Sequence, residues 1–167
     1  MEQRKSQGLK ITSQNRLAGL AVPFGFMARL SEQLWEKVEP GAFTDSLKAN
    51  DVLCLSDHDT TKILGRTSSQ TLTLRETSKG LEYEILLPET QLGRDTRELA
   101  LRGDLGGVSV GFFIVRQETT GNTRRILQAD LREISIISAF PAYPQTTIEA
   151  RSAKQLLTNY LRWAVYA

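Results

Sequence analysis

"RRILQADLREISIIS", Arg124 to Ser138, reads with a period of two: Leu131, Glu133, Ser135 and Ile137 alternate with Arg132, Ile134, Ile136 and Ser138. That alternation belongs to a strand. Similar short runs recur through the chain as "LKIT", "LAGLAVPFG", "DVLCLSDH", "TLTLRET", "LEYEILLP" and "GVSVGFFIV". Most are bounded by Gly, Pro, Asn, Ser or Thr, the residues that make turns, so the pattern predicts a β-rich domain. Two helices are predicted between the strands, in "PGAFTDSLKAN" and in "ETQLGRDTRELALRGD", the latter ending at Gly103. A third, over about 152–167, closes the chain with Leu157, Tyr160, Leu161 and Ala164 on one face and Leu156 and Trp163 widening it. The helices interrupt the strands without alternating regularly with them, which argues against a doubly wound parallel sheet.

A chain of 167 residues buries one sizeable core, so a single domain over 9–167 is expected after a loose segment at 1–8. Hydrophobic residues at 40% and charged residues at 24% place it among globular proteins and away from disordered ones. Lysine and arginine number 21 against 19 acids, and they are scattered among those acids, so nothing demands nucleic acid as a partner. No apolar stretch reaches the roughly 18–20 residues of a membrane span. The nearest imitation, Leu17 to Ala28, is interrupted by Pro23 and Gly25 and follows the alternating "LKIT", which favours a hairpin over a secretory signal. The single Cys54 excludes an internal disulfide framework and fits a reducing compartment.

Chemistry could reside in three stretches. The first holds His58, the one histidine of the chain, in "SDHD". On a continuous strand Val52, Cys54, Ser56 and His58 share a face, with Cys54 roughly 13 Å and Ser56 about 6.6 Å from His58. The first separation is too long for a thiolate–imidazole pair, which leaves Cys54 as core and Ser56 as a minor rival nucleophile. Without a second histidine or a cysteine cluster, neither a zinc site nor any other metal or cofactor is expected. The second stretch, "RGDLGGVSVGFF", sets Ser109 after a glycine-rich turn. It has no G-K-[ST], so a phosphate loop is disfavoured, while a serine beside Gly106, Gly107 and Gly111 is either buried filler or an accessible nucleophile. The third places Glu133 in a strand whose next members are mostly apolar. It is either an exposed edge charge paired with Arg132, Arg125 or Arg124, or a buried carboxylate that needs a partner.

Taken in order, "AVPFG" (Ala21–Gly25), "EPGAF" (Glu39–Phe43), "SDHD" (Ser56–Asp59) with "LGRT" (Leu64–Thr67), "GLEYEILLPET" (Gly80–Thr90), "GDLGGVSVGF" (Gly103–Phe112) and "LREISIISAFPAYPQT" (Leu131–Thr146) give the sequence a resemblance, from about Leu17 to Arg151, to the prohead (capsid maturation) proteases of tailed bacteriophages. Those proteases look like relatives of the herpesvirus assemblins. The resemblance implies a mainly β fold, a closed β-barrel flanked by helices. It further implies Ser109 as nucleophile, His58 as base and Glu133 as the orienting acid, with Asp130, Asp104, Asp57 and Asp59 as competitors for the last role. Assemblins use a second histidine there, and this sequence has none to supply. The oxyanion candidates are Gly106, Gly107 and the Arg66 guanidinium.

The implied biology is peptide hydrolysis inside the immature capsid, in the host cytoplasm. The expected substrates are the major capsid protein or a scaffold protein, and the enzyme itself. A homodimer is expected, because assemblin-like proteases become active through dimerisation. A non-enzymatic capsid or scaffold component with the same fold is the alternative. Because no long acidic or coiled-coil extension follows the closing helix, a truncated or self-processed form is a further expectation.

Overall fold

The computed structural model describes residues 10–12 and 15–138. The expected loose N-terminus and the helix over 152–167 lie outside the described residues. The strands, in chain order, are β1 (Lys10–Thr12), β2 (Arg16–Pro23), β3 (Ala28–Ser31), β4 (Leu34–Val38), β5 (Leu53–Ser56), β6 (Asp59–Arg66), β7 (Leu72–Glu76), β8 (Gly80–Leu86), β9 (Gly107–Thr120) and β10 (Thr123–Ile137), of which β3, β4 and β6 lie outside the alternating runs of the sequence. Helix α1 (Thr44–Ala49) lies between β4 and β5, and α2 (Gln91–Arg102) between β8 and β9.

The termini of α2 follow directly from its sequence. Thr90 Oγ1 accepts the Gly93 N–H at 3.2 Å as an N-cap. At the other end Gly103 adopts φ 76°, a left-handed conformation that glycine reaches without a Cβ clash, and the N–H groups of Gly103 and Asp104 return to Ala100 O and Leu99 O.

Two sheets result. One is antiparallel in the order β1-β2-β8-β7, which includes the expected β1–β2 hairpin. The other is mixed and is built on β10. β9 pairs antiparallel with β10 along nearly its whole length, from Thr123↔Thr120 to Ile137↔Gly107. The opposite edge of β10 is divided: β4 runs parallel to it over Thr123–Ile126 and β5 over Glu133–Ile136.

Between those two ladders the edge would be left without partners, and α1 with its flanks supplies them. Glu39 N–H donates to Ile126 O at 3.0 Å, Ala129 N–H to Ala42 O at 2.8 Å, and Asn50 Nδ2 to Leu131 O at 3.0 Å. Gln128 Nε2 adds a 2.8 Å bond to Asp45.

One apolar core is drawn from both sheets, with Leu17, Leu81 and Ile85 from the first and Ile126, Leu131 and Ile134 from the second, all fully buried. Phe43, just before α1, sits at its centre: its ring meets Phe112 edge-on at 5.7 Å and stacks with Phe24 at 6.5 Å.

The β-rich expectation holds, and the closed barrel does not. Among the described residues no ladder joins an edge of the first sheet to an edge of the second, and a barrel requires every edge to be paired. The break lies after β6. Gln70 takes φ 60° and its N–H returns to Thr67 O at 3.0 Å, a tight turn after which β7 enters the antiparallel sheet instead of extending the mixed one. Two helices flank the sheets in this region, of 6 and 12 residues.

The β3–β4 hairpin went unread in the sequence because its polarity is inverted: Glu36 is buried and ion-paired with Arg124 at 2.5 Å, while Trp35 beside it is exposed. No described helix is long and apolar enough to cross a membrane.

Phe43→Ala is expected to lower the unfolding free energy by about 3–5 kcal/mol, read as a reduced urea midpoint at unchanged slope.

Candidate active site

His58 does not continue the β5 strand. Ser56 and Asp59 are ladder partners, and the two residues between them take positive φ, 52° at Asp57 and 59° at His58. Positive φ at both central positions defines a type I′ hairpin, and Asp and His are among the non-glycine residues that tolerate it.

Asp57 clamps this turn to the end of β10. Its N–H donates to Ile136 O at 2.9 Å, and its carboxylate accepts Ser138 N–H and Ser138 Oγ–H, both at 2.7 Å. Ser56, the minor rival nucleophile, donates its hydroxyl to the same carboxylate at 3.3 Å. Asp59 turns the other way, accepting Thr61 N–H at 2.9 Å and Thr61 Oγ–H at 2.6 Å, which with Lys62 holds its carboxyl below the usual range.

Glu133 lies on β10 just past a bulge. Leu131 pairs with Phe112 and Glu133 with Gly111, so Arg132 is the extra residue, and it is exposed. Glu133 itself is buried, and a carboxylate removed from water requires partners. It has two. His58 Nδ1 lies 2.5 Å from Oε1, and Ser135 Oγ–H donates to Oε2 at 3.2 Å. Ser135 Oγ in turn accepts the His58 backbone N–H at 3.3 Å.

The arginines named as edge partners for Glu133 are engaged elsewhere: Arg132 with Asp130 at 2.5 Å, Arg125 with Glu39 at 2.8 Å and Arg124 with Glu36. Of the competing acids, Asp130 also accepts from Asn50, and Asp104 pairs with Arg102 at 2.7 Å.

Ser109 is buried on β9 directly opposite Ser135. Directly opposed residues of an antiparallel pair share a face, with Cβ atoms roughly 4.5–5.5 Å apart. Ser109 therefore projects from the same side of the sheet as Ser135 and Glu133. The residue opposite Glu133 is Gly111, which brings no side chain to that face.

The expected oxyanion donors differ in their surroundings. Gly106 N–H donates to Ile137 O at 2.8 Å. Arg66 directs Nε and Nη2 at Asp51, and this guanidinium, with Ser68, holds the Asp51 carboxyl well below its usual range. Gly107 opens β9 at φ 144°, a backbone that side-chain-bearing residues rarely adopt.

Cys54 is fully buried, paired with Ile134, and off the face that carries Ser135 and Glu133. Burial, with a smaller contribution from the Glu133 charge, pushes its thiol far up, which disqualifies it as a nucleophile. Among the described residues no group of three His, Cys, Asp or Glu side chains is placed to hold a metal. Ser135 is the member of this constellation that the sequence reading did not single out. The period-two alternation had already set it on the face of Glu133, but a serine in an apolar strand carries no further signal.

Residues 2–159 match the family model described as caudovirus prohead serine protease. No curated protein and no solved structure matches the chain.

The raised Cys54 thiol makes stability depend on pH. The folded chain keeps the thiol proton where the unfolded chain loses it, so this contribution is intact below the ordinary thiol range and declines as pH rises through it. Between about pH 8.5 and 10 the urea midpoint is expected to fall, with a slope of up to ~1.4 kcal/mol per pH unit that Cys54→Ala removes. In native protein the thiol should stay unreactive toward a disulfide reagent, and react stoichiometrically in urea.

Proposed function

The chain belongs to the caudovirus prohead serine proteases, serine peptidases of capsid maturation, and on that premise we propose that Ser109, His58 and Glu133 form its catalytic triad. The observation that carries this reading is the 2.5 Å contact of His58 Nδ1 with a buried carboxylate on the sheet face that bears Ser109. With Nδ1–H donated to Glu133, the imidazole is held in the tautomer whose Nε2 is basic, as a serine nucleophile requires.

Ser109 Oγ attacks the scissile carbonyl carbon and its proton passes to His58. Glu133 stabilises the imidazolium, and the proton is then delivered to the leaving amine as the C–N bond breaks. Water, deprotonated by the same imidazole, hydrolyses the acyl-enzyme and restores Ser109. Of the oxyanion candidates, the Gly107 backbone N–H is kept for its place at the start of β9, two residues before Ser109; the Gly106 N–H donates to Ile137 O and the Arg66 guanidinium to Asp51. Other relative positions of nucleophile, base and acid along a chain serve the same chemistry on unrelated folds, so the order His, Ser, Glu is no obstacle.

A protease of this family acts on capsid or scaffold proteins within the prohead. The reading further includes self-cleavage and a homodimer. Co-expression with the capsid protein of the same phage, followed by mass spectrometry of the products, tests the substrate. Sedimentation at activity-level concentrations tests the dimer, and monomer alone would remove it.

Ser109→Ala should abolish cleavage and labelling by a fluorophosphonate probe while leaving the circular dichroism spectrum unchanged. A wild-type protein that folds but takes no label would instead make it a non-enzymatic assembly component. Glu133→Gln should lower kcat on the order of 10⁴-fold, because the amide no longer selects the productive tautomer.

A further inference from the structure

We propose that Ser135 is a positioning residue of this site, acting through Glu133 to keep its carboxylate aimed at His58; the proposal rests on the Ser109–His58–Glu133 reading. The hydroxyl closes a circuit of three contacts. His58 N–H donates to Ser135 Oγ at 3.3 Å, Ser135 Oγ–H donates to Glu133 Oε2 at 3.2 Å, and Glu133 Oε1 meets His58 Nδ1 at 2.5 Å. A serine hydroxyl has one proton to donate, and here it goes to the carboxylate. The same oxygen holds the backbone of the residue whose ring the carboxylate holds.

Three observations separate this from a small side chain filling a gap. Ser135 is fully buried, so water is not at hand to take over either contact. The terminal torsion of a glutamate is broad and nearly two-fold, so a single contact at Oε1 leaves the carboxylate plane loosely defined, and a donor at Oε2 fixes it. Finally, Ser135 stands opposite Ser109 on β9 and opposite Leu55 on β5, the strand that leads into the His58 turn. One hydroxyl therefore lies in the row that joins the nucleophile's strand to the histidine's hairpin. When His58 takes up a proton, Ser135 keeps the carboxylate in the orientation that meets the new charge.

The acylation rate with a fluorophosphonate probe needs no knowledge of the natural substrate and tests the proposal. Ser135→Ala is expected to slow acylation about 10- to 100-fold, the usual consequence of leaving a buried charged acceptor without its donor. Threonine and valine share a shape and differ by the hydroxyl, so Ser135→Thr should recover most of the rate and Ser135→Val should not. In a Glu133→Gln background Ser135→Ala should change the rate less than about twofold, because the group it acts through is already gone.

Equal rates for the Thr and Val variants, or the full Ser135→Ala loss persisting in the Glu133→Gln background, would overturn the proposal and reduce Ser135 to packing. If neither β-branched variant folds, Ser135→Ala decides alone, and an unchanged rate refutes the role. Ser109→Ala protein that still takes the label at the wild-type rate would defeat the triad reading itself, whatever the Ser135 variants do.

Discussion

The two edges of β10 organise this molecule. A strand offers hydrogen bonds on two sides only, and β9 takes one of them from end to end. The other must then serve both β4 and β5, which can share it only in succession, with β4 near the start of β10 and β5 near its end. The intervening chain, 39–52, has to span the gap without leaving the backbone of residues 127–132 unsatisfied, and α1 with its flanks does so through backbone and side-chain bonds. The candidate site follows from that division. Because β5 meets β10 over Glu133–Ile136, the hairpin that follows β5 is delivered to the same end of the sheet as Glu133, Ser135 and the first residues of β9.

Within this frame two local irregularities set the side chains. The type I′ turn at Asp57 and His58 reverses the chain so that the imidazole turns back over β10, and the Asp57 clamp on Ser138 and Ile136 fixes the turn to that strand. The bulge at Arg132 sends an arginine outward to Asp130 and admits Glu133 to the interior, where the His58 ring meets it. Bulges and positive-φ residues gather where a sheet must aim a side chain, and both occur here within a few residues of one another.

Much of this was legible in the sequence, for reasons that particular residues make plain. Runs such as Val108 to Phe113 and Leu131 to Ile137 alternate or stay apolar, and a half-buried strand imposes that period. α2 carries its own punctuation in Thr90 and Gly103. The β3–β4 hairpin was lost because a buried Glu36 and an exposed Trp35 reverse the usual code, and only the distant Arg124 explains the inversion. The turn at His58 was lost because type I′ turns usually advertise themselves with Asn-Gly or Asp-Gly, and Asp57-His58 lacks the glycine. Closure of the sheets was an expectation from resemblance, and strand periodicity says nothing about which edges meet. His58 and Glu133 could each be suspected from the sequence, but 75 residues separate them, and their contact depends on the partition of β10.

The burial of Glu133 also bears on why the constellation exists at all. A carboxylate taken out of water and matched with an imidazole gains little for the fold, since desolvation offsets most of the attraction, and apolar replacements of buried ion pairs are often neutral or stabilising. The surroundings show that this sheet can be filled with apolar side chains: Leu131, Ile134 and Ile136, on either side of the acid in sequence, are all essentially inaccessible. Stability alone would favour continuing that pattern through positions 133 and 135. A carboxylate and a hydroxyl stand there instead, each satisfied by specific partners, beside a histidine held at positive φ. Polar groups standing where apolar packing would serve the fold as well, beside a positive-φ turn, mark this sheet face as the candidate site.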